Sequence, residues 1–195
     1  MPHCIMKEPA LPLSESSPRK KLHTRTITLG GFEREDGLFD IDAELNDFKT
    51  YDFSTEDRPV PTGTPLHQMK ARLTVNEDME IVHAEAVTEF GPFSICGDGA
   101  ASFGRLVGLS IRPGFLRAAN ERLGGIKGCT HLRELLQQMA TVVFQTTYAV
   151  RVKRDAAAPP APRRLINTCY AYDSKGSVIE RRWPEYFTGT KETVS

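Results

Sequence analysis

Cysteine is scarce in this chain. Cys4, Cys96, Cys129 and Cys169 are the only four in 195 residues, too few and too widely spread for a disulfide scaffold. Net charge is also missing. Lys+Arg and Asp+Glu are 25 each, so there is no basic stripe of the kind that neutralises nucleic-acid phosphates, and no nucleic-acid partner is expected. No stretch approaches the roughly 20 apolar residues of a membrane span. The start of the chain carries Lys7 and Glu8 and no apolar run, so no secretory leader is expected. A soluble, reducing, cytoplasmic setting is the expectation, with the cysteines present as thiols or ligands. Gly97-Asp98-Gly99 lacks the further glycine of a dinucleotide fingerprint, and Gly124-Gly125 lacks the Lys-Ser/Thr of a phosphate loop. No spaced oxygen series ends in a bidentate glutamate, which excludes a calcium loop.

The hydrophobic fraction, 39%, is low for a packed globule, so some segments are expected to lie outside the core. Residues 1–22, with Pro2, Pro9, Pro12 and Pro18 among serines and charges, read as a disordered tail. A single α+β domain is expected over 23–187, with an Ala/Pro linker at 155–162 and a flexible end at 188–195. Thr24–Leu29 is rich in β-branched residues, and Asp36-Gly37 is a hairpin turn signal. Beyond it Phe39, Ile41, Ala43 and Leu45 fall at period two. In 67–75, Met69, Ala71, Leu73 and Val75 alternate with Lys70, Arg72 and Thr74, the pattern of a half-buried strand. Residues 79–90 return as its partner after Asn76-Glu77-Asp78. Residues 54–65, with three prolines and a glycine, read as a loop.

From Cys96 the period lengthens. Ala100, Phe103 and Leu106 suit a helix ended by Gly108, and Pro113 suits the start of a second, closed by Gly124-Gly125. Leu132, Leu135, Leu136, Met139, Val143 and Val150 make one apolar stripe along a helix over about 130–152. Residues 165–172 and 178–183 read as a short β-tail about Ser174-Lys175-Gly176. The fold class is therefore α+β: an N-terminal antiparallel meander packed against C-terminal helices, with that tail.

The chemistry-bearing string is Gly128-Cys129-Thr130-His131-Leu132 at the start of the long helix. A thiol and an imidazole two residues apart there feel the exposed N–H groups and the positive end of the helix dipole, which favours thiolate. Three readings follow. As a metal site, Cys96, Cys129, His131 and either Cys169 or His67 form a chemically complete set for zinc or iron. As an enzyme, Cys129 is the nucleophile, His131 or His67 its base, and Glu134 the group that orients the base, with an acyl or sulfur-transfer substrate. In the third, the cysteines are core residues of an interaction protein. His83 reads as a core or edge histidine, and Asp40 and Asp42 as a wet strand face.

Several strings together resemble a bacterial family known only as domain of unknown function 2889. They are Gly31-Phe32-Glu33-Arg34 with Asp36-Gly37-Leu38, Leu45–Lys49, His67-Gln68-Met69 before Arg72–Val75, Cys96, Gly108-Leu109, Pro113-Gly114-Phe115, Gly128–Leu132 with Glu134-Leu135, and Trp183-Pro184. The resemblance covers about residues 22–187 and implies no activity, because the family has none assigned. The order of hairpin, Cys96 and Lys127-Gly128-Cys129-Thr130-His131 is also similar to that of iron–sulfur cluster scaffold proteins, whose last long helix opens with Lys-x-His-Cys. Here the pair is Cys-x-His, and the scaffold's first cysteine, between strands, has no counterpart. That likeness implies iron or an iron–sulfur cluster as the cofactor.

Overall fold

A computed structural model of the chain describes residues 13–154 and 165–190. Part of the expected tail (residues 1–12), the 155–162 linker and residues 191–195 lie outside the described residues, as does Cys4. The chain divides into two compact units, the first ending at Val143 and the second starting at Phe144.

The first unit is built on a four-stranded antiparallel sheet of β1 (His23–Glu33), β2 (Phe39–Lys49), β5 (Pro65–Val75) and β6 (Ile81–Phe90), in the order β1-β2-β5-β6. Gly37, at φ +81°, supplies the left-handed residue that the β1–β2 turn needs. In β2, Phe39, Ile41, Ala43 and Leu45 are at most 3% exposed, whereas Asp40, Asp42 and Glu44 stand on the outer face. There Asp42 accepts from Arg72 Nε at 2.6 Å, and Lys70 donates to Glu89 at 2.7 Å. Period two thus sets an apolar inner face and a charge-laced outer one.

The β5–β6 hairpin keeps the expected inner row on β5, whereas β6 departs from simple alternation. Bulges fall between Gln68 and Met69 and between Thr74 and Val75. Thr74 pairs with His83 and Val75 with Ile81, so Val82 is the extra residue. Ile81 and Ala84 both become buried, and each bulge flips the alternation beyond it. His83 is accordingly exposed on the outer face, 3.8 Å from Glu85, and is not a core histidine. The expected loop at 54–65 contains a minimal hairpin, β3 (Phe53–Ser54) with β4 (Pro59–Val60). Arg58 ties it down by donating to the carbonyls of Gly91 and Pro65, both at 2.8 Å.

After the sheet come α1 (Cys96–Ala101), a 3-10 turn (Ser102–Leu106), α2 (Phe115–Leu123), a second 3-10 turn (Gly125–Lys127) and α3 (Thr130–Thr146). Gly114, at φ +93°, caps α2, so that helix starts two residues after Pro113. Leu132, Leu135, Leu136, Met139 and Val143 of α3 are no more than 1% exposed, as the stripe requires. The expected long helix breaks at Thr147 and resumes as α4 (Tyr148–Arg154).

The second unit holds α4, a 3-10 turn (Tyr170–Tyr172), α5 (Ser177–Arg182) and a last 3-10 turn (Pro184–Tyr186). The expected short β-tail does not form there. Asn167, at φ +62°, turns the chain, and Gly176 leads into a helix instead. Local backbone pairing wins because the described residues provide no partner strand for either segment. Trp183 packs against Tyr172, with ring centroids 6.0 Å apart.

Gly128 is closely packed on the approach to α3. A Cβ there would lie 2.7 Å from Ser102 Oγ and 3.0 Å from the carbonyl oxygen of Leu123. The hydroxyl can rotate away but the carbonyl cannot. Gly128→Ala is therefore expected to cost about 1–2 kcal/mol through overpacking, read as a lower urea midpoint at unchanged m-value. An unchanged midpoint would show that the α2–α3 connection yields freely.

Candidate functional site

Three neighbouring strands place one residue each in a single row. Arg25 of β1 pairs with Asp47 of β2, and Asp47 pairs with His67 of β5. All three belong to the inner row that carries Ile27, Leu45 and Met69 further along the sheet, so the polar row continues the apolar one at the sheet's end. Asp47 is 1% exposed and His67 7%.

The carboxylate of Asp47 is saturated. Arg25 donates to both its oxygens, Nε to Oδ1 at 2.8 Å and Nη2 to Oδ2 at 2.7 Å. His23 Nε2 lies 3.0 Å from Oδ1 and His67 Nδ1 2.9 Å from Oδ2. These four contacts fill the four acceptor directions of a carboxylate, and the Arg25 pair is the bidentate fork that binds carboxylates most strongly. Burial alone would raise the Asp47 pKa. The hydrogen bonds and charge of Arg25, followed by the hydrogen bond of His67, outweigh it and bring it down to about 2. Asp47 is therefore ionised at neutral pH. The same hydrogen bonds push the Arg25 guanidinium above its usual value.

His67 responds oppositely. Burial lowers its pKa first, the neighbouring His131 lowers it further, and Asp47 offsets these only in part. The neutral imidazole is thus favoured at neutral pH. An ionised carboxylate only accepts, so the proton sits on Nδ1 and Nε2 carries the lone pair.

The fourth element of the site is the start of α3. Cys129 accepts the first helical hydrogen bond, from Arg133 N at 3.0 Å. His131 sits one residue into the helix, with its ring centroid 4.0 Å from that of His67 at an interplanar angle of 39°. The Cys129 sulfur lies 3.9 Å from His131 Nδ1. Glu134, one turn on, accepts from Arg25 Nη1 at 2.9 Å, so β1 and α3 are joined by an ion pair directly beside the site.

Of the residues expected from sequence, the fold brings His67 against His131, and Cys129 against His131 alone. Glu134 does not orient a histidine; Asp47 does that, and Glu134 anchors Arg25. Cys96 opens α1, half-buried, with its thiol against Gly91. Cys169 is exposed in the second unit. Among the described residues, the group of three or more ligand-type side chains with donor atoms all within 4.8 Å is Asp47, His67 and His131; none of Cys96, Cys129 and Cys169 belongs to it. The sequence alone singles out none of Asp47, His23 and Arg25. The missed signal is parity, since Asp47 follows Phe39, Ile41, Ala43 and Leu45 at even steps, unlike Asp40, Asp42 and Glu44.

Compared with known protein families, residues 23–145 match the model of a family described as "Protein of unknown function (DUF2889)". The match spans most of the chain and contains every residue of the site just described. No curated protein matches, and no solved structure matches, so the likeness to iron–sulfur scaffolds gains no support. The chain belongs to the DUF2889 family.

Proposed function

We propose that this DUF2889 member binds a transition-metal ion, zinc before iron, at the imidazoles of His67 and His131, with Asp47 as an outer carboxylate. Cys129, which lies 3.9 Å from His131 Nδ1 but outside the cluster of donor atoms within 4.8 Å, is a third ligand recruited on binding. The observation that carries the reading is the contact of His67 Nδ1 with Asp47 Oδ2 at 2.9 Å, together with a second imidazole whose ring lies 4.0 Å away. A carboxylate–histidine pair of this kind fixes the tautomer and raises the basicity of the ligating nitrogen. The site's fixed charges suit a cation, because the one positive group, Arg25, is met by two carboxylates, Asp47 and Glu134. Two nitrogens and a thiolate suit zinc. Three protein donors leave a fourth position for water or a further ligand.

Elemental analysis of anaerobically purified protein tests this. About one equivalent of zinc or iron is expected in the wild type, and well under a tenth of that in His67→Ala or Cys129→Ala. Metal-free wild type that takes up no added Zn²⁺ or Co²⁺ would end the proposal.

The contact of 3.9 Å between Cys129 Sγ and His131 Nδ1 favours a second reading, in which Cys129 is a nucleophile and His131 its base. Alkylation by iodoacetamide separates the two. Under the metal reading, Zn²⁺ slows labelling of Cys129 at least about tenfold, because a ligating thiolate is unavailable, and leaves Cys96 and Cys169 unaffected. Under the nucleophile reading, Cys129 reacts far faster than the other two thiols and Zn²⁺ makes no difference.

A further inference from the structure

The two outer strands of the sheet differ in how their edges are finished. β6 carries two bulges, and its start is covered by backbone: Ile81 N donates to the Leu109 carbonyl and Gly108 N to that of Ile81, both at 2.8 Å. Such devices keep an edge from pairing with another chain. β1, at the opposite edge, has none of them. No bulge interrupts its register with β2 over its 11 residues, and Thr26–Phe32 contains neither a charge nor a proline. Among the described residues β2 is its one strand neighbour.

The β1–β2 turn fixes which groups of that edge are free. Arg34 N donates to the Leu38 carbonyl at 2.9 Å, and Gly37 N to that of Arg34 at 3.1 Å, so residue 34 bonds inward to β2. Antiparallel pairing alternates bonded and non-bonded positions. The even residues from Phe32 back to Thr24 therefore bond to β2, and the odd ones, Arg25, Ile27, Leu29 and Gly31 among them, turn their N–H and C=O groups to the open edge. The Leu22 carbonyl, which accepts from Thr50 N at 3.4 Å, keeps the same parity at the far end. A second β1 running antiparallel must match odd residues to odd ones. The two-fold axis then falls where one residue faces its own copy, and the register that pairs the whole strand puts Thr28 there.

We propose that two copies of this chain dimerise through β1, with Thr28 facing Thr28. Ile27 then meets the partner's Leu29, both of them half-buried at the sheet edge. Arg25, already held by Asp47 and Glu134, meets the partner's Gly31, which has no side chain to oppose it. His23 at one end of the strand meets the partner's Glu33 at the other. His23 lies 3.0 Å from Asp47, so each copy brings a carboxylate beside the other's site. The product is one continuous sheet with β1 at its centre and the bulged β6 at both ends, an isologous interface that leaves no bare edge. The dimer requires no metal and stands apart from the metal-binding reading.

Sedimentation of the full chain over a micromolar concentration series tests this. Wild type is expected to approach twice the chain mass. Thr28 is exposed, so Thr28→Asp and Thr28→Lys leave the monomer folded while setting like charges face to face across the axis. Each should weaken dimerisation at least about tenfold, and an equimolar mixture of the two should dimerise again. Cysteine substitution reads the register, because facing residues of a non-hydrogen-bonded pair have Cα atoms about 4.5 Å apart, within disulfide reach. Under mild oxidation Thr28→Cys should cross-link well beyond wild type, whose own thiols set the background. Thr26→Cys, which faces Gly30, should not. A wild type that stays monomeric throughout overturns the proposal and leaves the edge to a strand of another protein. A dimer indifferent to both Thr28 charges overturns it too, as does cross-linking through Thr26→Cys in place of Thr28→Cys. Should a charge variant misfold by circular dichroism, cross-linking decides alone: Thr28→Cys no better than background overturns the proposal.

Discussion

Asp47→Asn is expected to destabilise the metal-free protein by about 2–3 kcal/mol, toward the low end for breaking a buried pair because Arg25 is 34% exposed and partly solvated. For a chain of this size that is a fall of roughly 5–10 °C in Tm. The asparagine keeps the shape but replaces half of a charge-assisted fork with an NH₂ that faces donors. The same substitution should weaken metal binding about 10–100-fold, the usual cost of losing an outer carboxylate. The acid limb of the stability curve gives an independent check. A carboxyl with its folded pKa lowered from 3.8 to about 2 contributes stability that is fully present above pH 4 and is lost as pH falls through 2; the shift corresponds to about 2 kcal/mol. His67 is also depressed, below 6.5. A histidine with a lowered folded pKa stabilises most when neutral, above 6.5, and that contribution is lost as pH falls through its folded value. Denaturant melts of chelator-treated protein should therefore lose stability in two stages, the first below about pH 6.5 and the second between pH 4 and 2. In Asp47→Asn the second stage should shrink. A curve with the same acid limb in both proteins would show that Asp47 does not carry this energy.

Leu135→Ala is expected to cost about 3 kcal/mol. The side chain is fully buried in the middle of the α3 stripe, and deleting three carbons leaves a cavity that a helix held by Leu132, Leu136 and Met139 cannot close. The larger consequence is at the site. His131, with Cys129 beside it, reaches His67 only because α3 is docked, while Asp47 and His67 are held in the sheet, and Arg25 by the sheet together with Glu134. Leu135→Ala should thus reduce metal affinity beyond what its distance from the ligands suggests, and it should leave the acid limb due to Asp47 largely intact. Urea melts with and without Zn²⁺ measure both effects. Full Zn²⁺ affinity in a destabilised Leu135→Ala would show that the α3 start holds its place without the helix's core contacts.

Particular residues show how far sequence reading reached. The β2 and β5 rows and the α3 stripe were legible because burial imposes periods of two and 3.6 on the apolar residues themselves. The second β6 face was not, since a bulge at Val82 adds one residue without altering composition. The supposed β-tail failed for a related reason. Short apolar runs do not declare their period, and strands need partners that only the fold can supply.

Within the site the division is sharper. Cys129 and His131 are two residues apart at a helix start, so their pairing was visible. So was His67, as the residue opening a strand. The Asp47 carboxylate, its Arg25 fork and the contact between the two imidazoles span separations of 22, 20 and 64 residues (47 − 25, 67 − 47, 131 − 67). Sequence by itself determined the elements and which side chains each turns inward, because those follow from local sterics and hydrophobic period. Only tertiary structure decided that the inward polar residue of β2 would meet those of β1 and β5 in one row beneath the start of α3. Strand register and helix docking are chosen by the whole core at once, and no local segment carries that information.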